Sequence, residues 1–138
     1  GIGYDIISCH PMYSGAAVGR AAQIGFESFC GSVMDLDGGV VLSVGSAIMG
    51  PQVFEKSLSC VNNLRLQEGR EIVSGHSIYV VDLQPGEWDW SQGEPPKDHP
   101  AYYLRFCKSY SRMGGEMRYL REDNAAFVHR LYRELAAA

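Results

Sequence analysis

Apolar residues along this chain follow two rhythms. Short unbroken runs rich in β-branched residues mark strands, and longer stretches with apolar positions every three or four residues mark amphipathic helices. Ile2-Gly3-Tyr4-Asp5-Ile6-Ile7 reads as a strand, ended by Cys9-His10-Pro11 because proline cannot continue a central ladder. After a turn at Ser14-Gly15-Ala16, Val18 to Leu36 reads as a helix whose stripe is Val18, Ala22, Phe26, Phe29, Cys30 and Val33. Asp37-Gly38-Gly39 stops it. Val40 to Val44 is a run read as a strand buried on both faces, as in a parallel sheet.

A glycine loop, Gly45 to Gly50, leads into a second helix with Pro51 expected at its first position and Val53, Phe54, Ser57, Leu58, Val61 and Leu64 on its buried side. Ser77 to Leu83 reads as a strand. Gln84 to Pro100 follows as a long proline- and glycine-rich loop holding Trp88 and Trp90, and loops of that length are usually functional or interfacial. Tyr102 to Ser109 fits a short helix or a strand equally well, and Glu116 to Leu120 reads as a strand. Asp123 or Asn124 caps a last helix with Ala125, Phe127, Val128, Leu131, Tyr132 and Leu135 as its core side. Alternating strands and helices predict an α/β fold, a Rossmann-like three-layer sandwich with a mostly parallel sheet and right-handed crossovers.

Composition narrows the class. The 138 residues make one domain, and 46% hydrophobic content suffices for a core. A formal charge of -4 gives no general attraction to nucleic acid or anionic lipid. No apolar run is long enough to span a bilayer. Cys9, Cys30, Cys60 and Cys107 form no C-x-x-C pair, which favours a reduced, cytoplasmic protein; Cys30 and Cys60 fall on helix faces expected to be buried. The chain opens on Gly1 directly in an apolar segment, which suggests the carboxyl-terminal piece of a longer protein.

The strand, glycine loop and helix around Gly45 and Ser46 put backbone N–H groups and a positive helix end at the sheet's carboxyl edge, an expected ligand crevice. The spacing Gly45-x4-Gly50 is followed by Pro51-Gln52 rather than Lys and Ser or Thr, so it is not a P-loop. Ser14-Gly15 before the first helix permits either close ligand approach or close packing. The four histidines lack metal-ligand spacing, and no metal is expected. His10, at a strand end, is the candidate acid or base, with Asp82 at another strand end in support. Asp5 within an apolar run needs either a structural partner or a site. Cys9 is expected to be structural, although attack by Cys9 or Cys107 is a further possibility. Arg105, Lys108 and Arg112 are expected on a solvated face, and the two tryptophans over a site or at a subunit contact.

His10-Pro11, Ser14-Gly15-Ala16-Ala17-Val18-Gly19, Gly38 to Ala47 and Pro51-Gln52-Val53-Phe54-Glu55-Lys56 together resemble uncharacterised bacterial proteins related to deoxyhypusine synthase. This chain would be roughly their carboxyl-terminal half. The resemblance implies a Rossmann-like fold, NAD binding and a homo-oligomer with sites between subunits. Carried over by position, it implies cofactor contacts at Ser14, Gly15, Gly45, Ser46 and Asp123, the register of the last being uncertain by one residue. The catalytic lysine is not retained, since Pro51-Gln52 stand there and Lys56 lies a turn further on. Two expectations result: a small ligand, NAD or a similar nucleotide, held without deoxyhypusine formation, or a non-catalytic assembly protein.

Overall fold

A computed structural model describes residues 5–138 of the chain. The fold is α/β, with a three-stranded parallel sheet in the order β1-β2-β3 and four α-helices among the described residues. Helix α1 (Gly15–Met34) precedes β1 (Val40–Val44); α2 (Met49–Gln67) connects it to β2 (Ser77–Asp82); α3 (Arg105–Tyr110) precedes β3 (Glu116–Arg121); α4 (Asn124–Ala137) follows. Val40 pairs with Ser77 and Val44 with Val81 on one side of β2, and Ser77 with Glu116 through Asp82 with Arg121 on the other. The expected alternation therefore produces the expected parallel sheet.

Several expectations fail, each for a physical reason. Asp5–Cys9 forms a 3-10 helix, not the end of a strand, and residues 1–4 of that predicted strand lie outside the described residues. Among the described residues β1 pairs only with β2, so it is an edge strand. Val40 and Leu42 are 58% and 45% exposed, because α1 and α2 cover only the opposite sheet face. The β1 run was thus misjudged as buried on both faces: its length and β-branching specify a strand but not its neighbours.

Helix α1 starts three residues earlier than the hydrophobic stripe suggests, at the point where the Ser14 hydroxyl accepts a hydrogen bond from Ala17 N at 3.3 Å. Of its predicted stripe only Val33 is buried. Pro51 lies at the third helical position of α2 rather than the first, where its missing N–H is still harmless because the first four N–H groups have no helical partner. Helix α4 begins as expected, with Asp123 accepting from Ala126 N at 2.9 Å. Its predicted core side is not buried: Val128, Tyr132 and Leu135 are exposed, and Phe127 and Leu131 half-buried. Periodicity marks an apolar stripe, but it does not supply a surface to cover it.

The core lies between the sheet and α1, α2 and α3. Ile78 and Val80 of β2 and Met117 of β3 point into it and meet Val33, Phe54, Leu58, Val61 and Tyr110. The ring of Phe54 packs edge-on against His76 at 6.1 Å and tilts over Tyr110 at 6.2 Å. Arg65 fastens the amino-edge end, donating to the Met34 carbonyl of α1 and pairing with Asp37 at 2.7 Å.

The long loop after β2 is ordered by its own contacts. It contains a 3-10 helix, Trp90–Gln92, with Asp89 as cap. Glu94 takes Lys108 at 2.6 Å and Arg112 at 3.1 Å, and Lys108 also lies over the Tyr102 ring at 3.3 Å. The ambiguous 102–109 stretch resolves into the end of a 3-10 helix, Pro100–Tyr103, followed by α3.

Candidate functional site

The carboxyl edge of the sheet is where β1, β2 and β3 deliver Gly45, Asp82 and the segment leading to Asp123. Gly45 N donates to Val81 O at 3.1 Å, and Glu122 N donates to Asp82 O at 3.0 Å, which ties the three exits together. Gly45 has φ +66°, a left-handed conformation that favours glycine. The space above its α-carbon is occupied by the Asn124 side chain, the first residue of α4. Asn124 therefore occupies the place that a side chain at Gly45 would take, on one side of the expected crevice.

The other predicted residues have local duties. The Asp82 carboxylate accepts from Gln84 N at 3.1 Å and caps the turn leaving β2. Asp123 caps α4 and Ser14 caps α1. A side chain at Gly15 would meet only the Tyr13 ring. His10 lies just past the 3-10 helix, exposed, and its Nδ1 accepts from Met12 N at 3.2 Å. Among the described residues the hollow beside it is lined by Ile6, Ile7, Cys9, His10 and Pro11, and Asp82 is not one of them.

A different space opens along β1. A groove of about 450 Å³ runs between that strand and the facing sides of α1 and α2, walled by Phe29, Val33, Leu36, Val41, Val53 and Phe54. Its polar end is formed by Ser43, Ser46, Gly50 and Tyr110. Ser46 Oγ accepts from Gly50 N at 2.8 Å and so holds the first turn of α2. Ile48 offers α2 no side-chain cap, and no acidic residue lies in its first turn. The positive end of the α2 dipole is left without a charged side chain to answer it.

Ser43 is only 5% exposed, and its hydroxyl lies within hydrogen-bonding influence of the Tyr110 phenol without forming a well-shaped hydrogen bond. It stands beside Tyr110, whose phenol is pushed up by burial and partly brought back by that hydroxyl. A hydroxyl both donates and accepts, so with Tyr110 beside it Ser43 keeps capacity for a second partner. Of the cofactor contacts expected from sequence, Ser46 lines this groove, with Gly50 at the end of the same glycine loop. Ser43 was hidden within Val-Val-Leu-Ser-Val, where the lone hydroxyl was its only signal, and Tyr110 sat beyond the stretch of undecided structure.

The thiols also differ from expectation. Cys9 is exposed, Cys30 half-buried and Cys60 exposed, so neither Cys9 nor Cys60 has a packing role. Cys107 is fully buried, and burial, then the negative charge of Asp82, pushes its thiol up to about 12. At neutral pH it is not a nucleophile. Trp90 is 5% exposed and belongs to the core, which removes it from any lid or subunit contact. Trp88 donates from Nε1 to Gly93 O at 2.9 Å and packs against His99 at 5.0 Å, both within its own loop region. No group of three or more His, Cys, Asp or Glu residues capable of holding a metal occurs among the described residues. None of the described helices is long and apolar enough to cross a membrane. Comparison of the chain with protein-family models, curated proteins and solved structures finds no match.

Proposed function

We propose that the chain is a ligand-binding α/β domain that holds a small molecule in the groove beside β1. The polar or anionic end of the ligand meets Ser43, Ser46 and the start of α2, and its apolar body lies between Phe29 and Val53. The observation that carries this reading is the buried Ser43 hydroxyl, with Tyr110 and Ser46 near it, at the polar end of a largely apolar groove. The volume is in the ordinary range for small-molecule sites.

NAD or a similar nucleotide is the ligand class that the deoxyhypusine-synthase resemblance brings forward. The groove suits such a molecule in two respects: apolar walls for a planar ring, and a helix start with no acidic residue in its first turn for a phosphate. No lysine or arginine lines it, so backbone N–H groups and hydroxyls would hold the anionic part. Aminobutyl transfer is outside the proposal, because a covalent imine needs an amine and Pro51-Gln52 occupy the place implied for the lysine.

Calorimetric titration of the purified chain with NAD tests this, with ATP and a fatty acid as comparison ligands. Saturable binding that vanishes in Val53→Trp, a variant that fills the groove, is the expected result. Binding that survives the filled groove counts against the site, and no binding of any of the three counts against the reading.

A second reading, assembly into a homo-oligomer, is favoured by one observation. Val40 and Leu42 of β1 and Val128, Tyr132 and Leu135 of α4 are large apolar residues open to solvent. Light scattering over a range of protein concentrations tests it, and a single-chain mass throughout rejects it.

A further inference from the structure

The ladder between β2 and β3 fixes which backbone groups of β3 are already engaged. Glu116 N donates to His76 O at 3.1 Å at one end, and Glu122 N donates to Asp82 O at 3.0 Å at the other. In a parallel pair, alternate residues of a strand turn both N–H and C=O toward the neighbour. Glu116, Arg118 and Leu120 therefore bond to β2, while Met117 and Tyr119 present theirs to the opposite side. Among the described residues no strand lies there, and the Met117 N–H and C=O make no hydrogen bond. Met117 is only 7% exposed. Buried backbone groups are nearly always paired, so this edge has room for a partner.

A cavity of about 390 Å³ opens on the same edge, between β3 and the 3-10 helix Trp90–Gln92. Asp89, Trp90 and Ser91 line one side, and Gly115 to Arg118 the other. Trp90 stays in the core, and its indole Nε1 has no hydrogen-bond partner either. Three unsatisfied polar groups thus belong to residues lining one space.

We propose that this cavity takes a short, basic peptide segment in extended form, which adds to the outer edge of β3 as a fourth strand. One residue of the segment donates its N–H to Met117 O and accepts from Met117 N at its C=O. The added strand runs antiparallel, because only then do both groups of one residue meet both groups of a single residue on the edge. The Trp90 N–H is left for a further carbonyl of the segment. The space is of small-molecule size, which keeps the segment short.

The lining sets the charge. Asp89 and Glu116 bring two carboxylates, and Arg118 brings one guanidinium, already paired with Glu116 at 2.6 Å. The Ser91 hydroxyl, then Gln92 and the Ser91 N–H, hold the Asp89 carboxyl below its ordinary range, so it is ionised at neutral pH. The surplus negative charge favours a basic side chain over an acidic one. The proposal does not depend on what the groove beside β1 binds.

The test is NMR titration of the full chain with the peptide acetyl-Gly-Lys-Gly-amide, following the backbone amide signals. Saturable binding that moves the Met117 amide proton downfield is the expected result. Methylating the backbone nitrogen of the peptide's lysine removes the donor to Met117 O and should weaken binding about tenfold, the worth of a buried hydrogen bond left unmade. Glutamate in place of that lysine should weaken binding as well. Ser91→Trp fills the cavity from an exposed position and should abolish binding, with the β1 and β2 amide signals reporting that the fold is kept. Equal affinity for the parent and methylated peptides overturns the proposal, and so does equal affinity for the lysine and glutamate peptides. Shifts centred on β1 instead of Met117, or no saturable shift in the unsubstituted chain, overturn it too.

Discussion

Arg65 lies almost wholly inside the protein, yet at 2.7 Å it meets Asp37, whose side chain stands half in water. Asp37 also accepts from Ser74 N at 2.8 Å, so one carboxylate joins α2 to the segments flanking β1 and β2. The guanidinium carries its charge into the interior with this carboxylate and the Met34 and Glu71 carbonyls taking donors from its two terminal nitrogens, while Nε has no partner.

This pair sets an acid sensitivity. The Arg65 hydrogen bond, then the Ser74 N–H, holds the Asp37 carboxyl below its ordinary range. A folded-state pKa below the unfolded value stabilises above the unfolded pKa, which is about 3.9 for Asp, and that contribution is lost as pH falls toward the folded pKa. Asp37→Asn should therefore be less stable than the parent near neutrality, and the difference should shrink as pH drops below about 4. Urea unfolding midpoints measured across pH check this. A difference that does not change with pH removes Asp37 ionisation from the account.

Gly45→Ala should lower stability by about 1–2 kcal/mol from the left-handed backbone alone, and by more because the new methyl meets the Asn124 side chain. Adding Asn124→Ala to Gly45→Ala should recover the second part but not the first. A double-mutant cycle in urea measures the coupling. Strictly additive effects would mean that α4 does not seat on this loop.

Phe54→Ala should cost about 3–5 kcal/mol, the usual range for truncating a buried aromatic. Phe54 is 1% exposed and wedged between His76 and Tyr110. A loss under about 1 kcal/mol would show that the sheet and α2 are not packed through this ring. Chemical denaturation followed by tyrosine and tryptophan fluorescence reads it.

Cys107 should resist alkylation in the folded chain at pH 8, where Cys9 and Cys60 are reached readily. Its thiol is held at about 12 by burial and by Asp82, so almost no thiolate forms until the pH is strongly alkaline. Quantitative labelling before and after denaturation distinguishes the sites, and rapid modification of Cys107 in the native protein contradicts its placement.

What was legible from sequence depended on whether the information was local. Val40 to Val44 and Ser77 to Asp82 announce strands by β-branching, and Asp123 announces α4 by its capping chemistry. Gly45 announces a tight exit from β1, which its positive φ bears out. None of these signals states what lies on the other side of an element. That is why the β1 face and the α4 stripe were expected inside and are found open, and why Trp90, expected outside, is part of the core. Ile6 and Ile7 were apolar enough for a strand, but the backbone from Asp5 to Cys9 coils into a 3-10 helix. At the candidate site, the roles of Ser43 and Tyr110 arise only when β1 and α3 are brought together across 67 residues, 110 minus 43.

The open side of β1 bears on how the protein behaves at high concentration. Val-Val-Leu-Ser-Val carries no charge and no proline, the usual protections of a free strand against sticking to another copy. Solubility should consequently be limited by this one strip of backbone, whatever the net charge. A single lysine in place of Val40, at the exposed start of the strip, should let the chain be concentrated further before it precipitates.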